Sequence, residues 1–385
     1  MRAGLADLID GKNGKRIIIC VGSGGVGKTT TAAALAVEAA RMGRRTLVLT
    51  IDPARRLATS LGIATLDHEE RRIPDERLAA AGPVTPGGSL HAMMLDQKRA
   101  FDDLVERYAR DAQVRERIFA NRIYQQISSA LSGSHEYAAM AKLYQLERDR
   151  DYDVVVVDTP PTAHALDFLD APAKLIDAID SPAIEWFVKP LRSSGRLSMR
   201  LLGIGGSYVL KRLSKFVGSA FLEEMARFFI EFNDVLGGFR ERAREVFALL
   251  RQPKVAFVLV TAPEASTLEE AGVFKARLRA AGLSITATVV NRVNPPPPPA
   301  CDSAELAARL AARPECAAFA PYDLARAADA LVATRVELAT LAEANREAIA
   351  KLTAGDAARR IICVPLLDED VHDLAGLGRI ARHLV

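Results

Sequence analysis

The sequence predicts an α/β fold, a doubly wound and mostly parallel sheet with added helices. Short runs of β-forming residues are continuously apolar rather than alternating, which is typical of strands buried on both faces of a parallel sheet. Helical patterns separate these runs, so right-handed crossovers would place helices on both sides of the sheet. The predicted strands are residues 17–21, 46–51, 90–95, 153–157, 255–261, 285–290 and 361–364.

Composition and charge narrow the class of protein. Of the 385 residues, 49% are hydrophobic and 26% charged, which argues against disorder. The net charge of +3 is spread among interspersed acids, so we expect no nucleic-acid partner. The apolar runs are strand-sized, which predicts no integral membrane segment. Four cysteines without a C-x-x-C pair, and a first segment without a signal-peptide pattern, indicate the cytoplasm.

We expect a single domain over residues 1–385 with two helical insertions. Residues 96–150 and 172–250 lack strand patterns and carry apolar residues at helical spacing. The prolines at 295–299 predict a stiff turn, followed by a helical segment to about residue 356. The aromatic residues of 172–250 either pack as ordinary core or line a groove for a hydrophobic protein client.

A glycine-rich motif directly follows the first predicted strand and satisfies the phosphate-loop pattern G-x-x-x-x-G-K-[ST]. Glycines let backbone N–H groups point at phosphate oxygens, and the next helix directs its positive end there. The fold class is therefore that of a P-loop NTPase, with ATP and Mg²⁺ as expected cofactors. We expect Lys28 to pair with the β- and γ-phosphates and Thr29 to hold Mg²⁺. The predicted nucleotide-binding residues of the loop are Gly22, Ser23, Gly24, Gly25, Val26, Gly27, Lys28, Thr29 and Thr30.

Two aspartates follow predicted strands. Asp158 ends the 153–157 run, where the second Mg²⁺ contact of a P-loop enzyme is expected. Asp52 follows the second predicted strand and could orient or deprotonate the attacking water. The alternative for Asp52 is a helix N-cap, since Asp before Pro is a strong helix start.

Six segments of the chain carry a family resemblance. They are GSGGVGKTTTAAALA at 22–36, TIDPARRLATSLG at 50–62, DTPPTAHALDFL at 158–169, VTAPEASTLEE at 260–270, VVNRV at 289–293 and VPLLDEDVHDL at 364–374. Together they resemble the ATPase family of the bacterial arsenite pump and the eukaryotic tail-anchored-protein targeting factor. The resemblance implies an ATPase that works as a face-to-face dimer. It also implies that Asn291 contacts the adenine and that the backbone near Pro365 closes over it.

Ser23 departs from the family pattern, which has a lysine that reaches across the dimer interface to the partner's phosphates. Ser23 cannot supply that charge, and Arg55 or Arg56 could substitute. Alternatively, a lysine-bearing paralogue supplies the charge in a heterodimer. This chain would then be a nucleotide-binding subunit that hydrolyses ATP weakly. A smaller departure is Ala163, where the family has glycine.

Two further alternatives lie within the same group of ATPases. A metalloid pump would need three converging thiolates, and only Cys301 and Cys316 could face a ligand, which argues against it. A partitioning ATPase of the MinD type would need a membrane-binding amphipathic helix, and the final residues RIARHLV do not form a convincing one. We therefore expect a homodimeric or heterodimeric ATPase switch.

Overall fold

A sheet of eight strands forms the centre of the described part of the protein. The structure is a computed structural model that describes residues 4–10, 15–51, 56–130, 134–149, 151–159, 219–353 and 360–385. The strands are β1 (Ile17–Val21), β2 (Arg45–Thr50), β3 (Arg71–Arg72), β4 (Ser89–Met94), β5 (Val154–Asp158), β6 (Val255–Thr261), β7 (Ile285–Val293) and β8 (Arg360–Pro365). They lie in the order β3-β4-β2-β5-β1-β6-β7-β8, and all neighbours pair in parallel except β3 with β4.

The fold class predicted from the sequence is confirmed. Most predicted strands match the observed ones to within a residue at each end, and β7 runs three residues further, to Val293. The extension follows a register shift between Val290 and Val293 in the pairing with β8. Strand β3 was not predicted, because two exposed arginines that pair antiparallel with β4 carry no apolar signature.

Helices cover both faces of the sheet. Each short connection between elements is compatible with a doubly wound arrangement. The helices are α1 (Ala6–Ile9), α2 (Lys28–Arg41), α3 (Arg56–Ser60), α4 (Asp75–Leu78), α5 (Gln97–Tyr108), α6 (Ala112–Ala120), α7 (Arg122–Ala130), α8 (Ser134–Asp149), α9 (Ser219–Leu250), α10 (Ala265–Ala280), α11 (Ser303–Ala311), α12 (Pro321–Thr353) and α13 (Leu374–Leu384).

Two apolar clusters lie on opposite faces of the sheet, as the alternation of side chains along β1 shows. Ile17 and Ile19 face a cluster built with α5 to α10, whereas Ile18 and Cys20 face one built with α1, α2 and α13. The alanines of α2 allow it to pack closely, since most of its residues are buried against the sheet. The first face therefore carries the large helical layer, and the second carries the helix that follows the phosphate loop.

Aspartate side chains begin several of these helices. Asp96 accepts from the backbone N–H of Arg99 at 2.9 Å at the start of α5, and Asp111 accepts from Val114 at 2.8 Å at the start of α6. Asp373 does the same for Gly376 at 2.7 Å at the start of α13. Each such cap satisfies a backbone donor that the helix itself leaves unpaired.

The helical segments predicted from the sequence fall partly outside the described residues. Helices α5 to α8 occupy the described part of 96–150, and α9 occupies 219–250, whereas residues 172–218 lie outside the description. Residues 295–299 form no helix or strand, and α12 follows to Thr353. No helix within the described ranges is long and apolar enough to cross a membrane.

Candidate active site

The glycine-rich motif connects β1 to α2 at the carboxyl edge of the sheet, and two of its glycines lie where a side chain would not fit. A Cβ atom on Gly22, whose φ is 154°, would collide with the carbonyl oxygen of Val260 in β6. One on Gly27, whose φ is 94°, would collide with the side-chain amide of Asn291 in β7. Side chains rarely tolerate such close approach or such backbone angles. The loop is thus held against β6 and β7 with its backbone exposed to the cleft, ahead of the first N–H groups of α2.

The side chain of Lys28 folds back over this loop. Its Nζ donates a hydrogen bond of 2.7 Å to the backbone oxygen of Ser23, and Lys28 is only 7% exposed. Ser23 is 4% exposed. Ammonium groups bond more strongly to ionised oxygens than to neutral carbonyls. A phosphate in the loop can therefore draw Nζ away from Ser23.

Asp158, the last residue of β5, receives two threonine hydroxyls. Thr29 Oγ1, in the first turn of α2, donates to Asp158 Oδ2 at 2.8 Å, and Thr50 Oγ1, at the end of β2, donates to the same oxygen at 3.1 Å. The arrangement arises because β5 pairs with both β1 and β2, so that its end lies between theirs. Hydroxyl and carboxylate oxygens are ligands that Mg²⁺ prefers. The chemistry of Thr29 and Asp158 therefore fits this ion.

Thr159, the residue after Asp158, is held by the end of β1. Thr159 Oγ1 donates to the carbonyl oxygen of Cys20 at 2.8 Å, which anchors the chain directly after Asp158. Burial raises the pKa of the Cys20 thiol, and the charge of Asp158 raises it further against a smaller opposing effect of Lys28. A thiol in this environment stays protonated and unreactive.

Asn291, near the end of β7, reaches the phosphate loop. Its Nδ2 donates to the carbonyl oxygen of Val26 at 2.9 Å. The next residue, Arg292, has a φ of 58°, which is uncommon for a residue with a side chain and turns the chain where the β7–β8 register shifts. Asn291 thus connects the phosphate loop directly to β7.

A cleft of about 910 Å³ extends from the phosphate loop to the segment after β8. Its volume lies in the range of sites that hold small molecules and cofactors. It brings the phosphate loop together with Asn291 and with Pro365, which lies more than 300 residues after the loop in the sequence. The described residues that line it are Gly25, Gly27, Lys28, Thr29, Thr30, Arg56, Thr59, Ser60, Thr159, Asn291, Arg292, Pro365, Leu366, Leu367, Glu369, Asp370, Val371, His372 and Ile380.

Some predicted residues lie outside the described part of the chain. Asp52 and Arg55 are among them, as are residues 160–169 of the segment DTPPTAHALDFL. Arg56 is described, is exposed, and lines the cleft. The roles given to these residues from the sequence stay predictions.

Two hydroxyls that organise the site were not predicted from the sequence. Thr50 ends β2 and donates to Asp158, and Thr159 follows β5 and donates to the backbone of Cys20. Threonine is common in strands, so its presence alone carries no signal. Thr159 directly follows the strand-terminal Asp158, which is a signal that the sequence offered, whereas Thr50 offered none.

Two aromatic residues of α9, Phe228 and Phe232, pack inside the helical layer. Phe228 and Phe232 stack with ring centroids 4.9 Å apart, and Tyr124 of α7 lies 6.0 Å from Phe232. All three rings are buried. For these residues the interpretation as core packing is the one that their contacts favour.

Cysteines do not form a cluster in the described ranges. Cys301 and Cys316 are half-buried, and no group of three His, Cys, Asp or Glu within these ranges could hold a metal ion.

Comparison with known proteins gives a family match over most of the chain. A family model described as "Anion-transporting ATPase" matches residues 15–313. The chain is 26% identical over 309 residues to ATPase GET3 of Malassezia globosa, covering 76% of this chain and 77% of that protein.

Two further relatives are matched over smaller parts. The chain is 25% identical over 286 residues to a provisionally named arsenical pump-driving ATPase 1 of Aquifex aeolicus, covering 73% of this chain and 64% of that protein. It is 29% identical over 164 residues to ATPase get3 of Aspergillus terreus, covering 43% and 45%. The chain thus spans less than two thirds of the Aquifex protein and less than half of the Aspergillus protein.

Proposed function

Because the chain belongs to the anion-transporting ATPase family and is therefore an ATPase, we propose that it binds ATP with Mg²⁺ in the cleft and works as a dimeric switch. The family expected from the sequence motifs is thereby confirmed.

The observation that carries the proposal is the contact between Thr29 and Asp158 at the mouth of the phosphate loop. The proton of Thr29 Oγ1 is committed to Asp158, so the oxygen lone pairs stay available to a cation. A bound Mg²⁺ would neutralise charge on the β- and γ-phosphates. Thr29 and Asp158 are the residues that would hold it.

The remaining residues of the site bind and orient the nucleotide. The loop backbone and the N-terminus of α2 bind phosphate oxygens. Lys28 leaves Ser23 and pairs with the transferred phosphate, where it stabilises the charge that develops during hydrolysis. Asp52 orients the attacking water. Asn291 and the backbone near Pro365 bind the adenine, an assignment supported by their shared place in the cleft.

A second candidate function rests on Ser23. A serine that is 4% exposed carries no charge to a partner's site. Homodimers of this chain would therefore lack a cation that, when supplied across an interface, can accelerate phosphoryl transfer by about 10³–10⁵. In this alternative the chain binds ATP, hydrolyses it weakly, and forms a heterodimer with a lysine-bearing ATPase.

Two further parts of the proposal are a hydrophobic protein client and a cytoplasmic location. The family resemblance supports the client, and the cysteine pattern supports the location.

The experiment that tests the metal-dependent site compares Asp158→Asn with Asp153→Asn. Asp153 lies just before the same strand, is exposed, and its carboxylate accepts from the backbone of Arg45 at 2.8 Å. Phosphate release is measured at saturating ATP across Mg²⁺ concentrations. We expect Asp158→Asn to reduce turnover at least about tenfold, or to raise the Mg²⁺ requirement by that factor, and Asp153→Asn to change neither. Equal activity of both variants would remove Asp158 from the site.

A further inference from the structure

A second cavity of about 390 Å³ lies between α5, α8 and α9, in the helical layer on the face of the sheet opposite α2. Its described lining residues are all different from those of the nucleotide cleft. The volume is sufficient for a small ligand. The described lining residues are Ala100, Asp103, Leu104, Glu106, Arg107, Ala141, Lys142, Gln145 and Arg242.

Arg242 of α9 is the unusual residue of this wall, because it is 3% exposed and has unused donors. Its Nη2 donates to the hydroxyl of Tyr108 at 3.0 Å, and its guanidinium lies over the ring of Tyr144, 4.3 Å from the centroid. Its Nη1 lies 3.5 Å from Glu245, and neither Nη1 nor Nε donates a hydrogen bond within the described residues. An unsatisfied buried donor destabilises the fold, and more so when it is charged.

The contacts of Arg242 fix the guanidinium without using its full capacity. The ring of Tyr144 stabilises the charge and the hydroxyl of Tyr108 fixes the orientation. A buried cation of this kind is stabilising only when its remaining donors find partners. The cavity is the space in which such a partner can lie.

Basic side chains outnumber acidic ones in the lining of the cavity. Arg107, Lys142 and Arg242 line it together with Asp103 and Glu106. Glu106 and Arg107 are exposed at the rim. The inner wall carries two cations on facing helices, Lys142 and Arg242, each with one acid nearby: Asp103 Oδ2 lies 3.8 Å from Lys142 Nζ, and Glu245 lies 3.5 Å from Arg242 Nη1. What distinguishes the wall is therefore the buried donors of Arg242 that make no hydrogen bond within the described residues.

We propose that this cavity binds a small oxyanion, a carboxylate or phosphate group, through the free donors of Arg242 and the ammonium group of Lys142. Arginine and lysine are the residues that recognise such groups most strongly. The site is independent of the nucleotide cleft and of ATP hydrolysis. Ordered water alone is the competing occupant, since water can also satisfy buried donors.

The test is calorimetric titration of the full chain with succinate and, separately, with inorganic phosphate. The protein is saturated with Mg·ADP so that the phosphate loop is occupied. We expect at least one of the two probes to bind once per chain in this cavity, with a dissociation constant of about 10 mM or tighter. Binding of succinate alone would identify a carboxylate site, and binding of phosphate alone would identify a phosphate site. Binding of both probes would identify a general oxyanion site.

Variants assign the binding to the cavity. Arg242→Gln should weaken it at least about tenfold, since a charge-assisted bond is lost. The matched control Arg110→Gln, an exposed arginine directly after α5 that does not line the cavity, should leave it unchanged. Lys28→Ala distinguishes the two places where phosphate could bind. This variant should weaken phosphate binding in the phosphate loop and leave binding in the cavity unchanged.

Three results would overturn the proposal. The first is that neither probe binds up to about 10 mM, which indicates water alone. The second is that Arg242→Gln binds as well as wild type. If circular dichroism shows that Arg242→Gln does not fold, Lys142→Gln decides: weaker binding sustains the proposal, and unchanged binding is the third result against it.

Discussion

His68 Nε2 lies 3.5 Å from Asp103 Oδ2, which joins the segment before β3 to helix α5. The other ring nitrogen, Nδ1, accepts a hydrogen bond of 3.1 Å from the backbone of Asp96, directly after β4. The side chain of His68 is 8% exposed. The imidazole therefore connects helix α5 of the helical layer to the β3–β4 edge of the sheet.

This contact predicts a pH-dependent stability. The pKa of Asp103 lies below its ordinary value of 3.8, because His68 Nε2 faces the carboxylate and Lys142 lies nearby, and these effects outweigh the opposing effect of burial. A carboxyl whose pKa is lowered by folding stabilises the protein above its unfolded pKa and loses that effect as the pH falls through the folded value. We expect Asp103→Asn to lower the free energy of unfolding by about 1 kcal/mol at pH 7, a value reduced for partial exposure.

Urea unfolding between pH 7 and about pH 3 measures the effect, and the difference from wild type should shrink toward the acid end. Asp149→Asn is the matched control, because Asp149 is similarly exposed and lies 4.0 Å from Arg107. Its effect should stay within about 0.5 kcal/mol. A loss for Asp103→Asn that is equal at every pH would contradict the role of its charge.

Replacing Lys28 tests the phosphate contact. Lys28→Ala removes an ammonium group that can move from Ser23 to the nucleotide, so we expect ATP affinity to fall about 10- to 100-fold. Titration with a fluorescent ATP analogue in Mg²⁺ measures it. The control is Lys98→Ala, an exposed lysine on α5 paired with Asp102. An unchanged dissociation constant for Lys28→Ala would show that the nucleotide binds elsewhere.

Replacing Asp52 separates chemistry from binding. Asp52→Asn should keep ATP affinity and slow turnover at least about tenfold, because the attacking water loses its carboxylate while the loop is untouched. Steady-state phosphate release at saturating ATP provides the turnover number. Asp67→Asn, an exposed aspartate paired with Arg71, serves as the control. If both variants turn over like wild type, Asp52 is only a helix cap.

Restoring the family residue tests the alternative based on Ser23. Ser23→Lys should raise the turnover number, since each site of a homodimer then receives a charge from its partner. Ser23→Met adds a chain of similar length without the charge and should not. Mixing the wild type with a lysine-bearing paralogue should activate this chain's site in the same way. Unchanged turnover of Ser23→Lys, in a preparation shown to be dimeric with ATP, would mean that another cation, Arg55 or Arg56 first, already fills the role.

The sequence predicted the parts of the site that lie at strand ends. The apolar runs before Gly22 and Asp158 identify two parallel strands, and the carboxyl ends of such strands share one edge. The sequence did not predict the order of the strands in the sheet. It therefore did not show that Asp158 lies between Thr29 and Thr50. Hydroxyl contacts of this kind depend on tertiary pairing, which local patterns do not encode.

The helical layer was predicted only as a set of helices. Arg242 has the sequence context of an ordinary surface arginine, and its burial results from the approach of α5 and α8 to α9. Strand β3 was not predicted because its two residues are exposed, and backbone pairing with β4 is what places them in the sheet. In both cases the deciding interaction is between separate elements, which local patterns do not encode.

The contact between Asn291 and the phosphate loop has a consequence for nucleotide selection. The amide of Asn291 fills the space beside Gly27 and bonds to Val26, so a shift of β7 is transmitted directly to the phosphate cradle. If the base lies against Asn291, a nucleotide with the wrong base disturbs the loop as well as its own binding. Discrimination between ATP and GTP should therefore appear in the rate of hydrolysis and not in affinity alone.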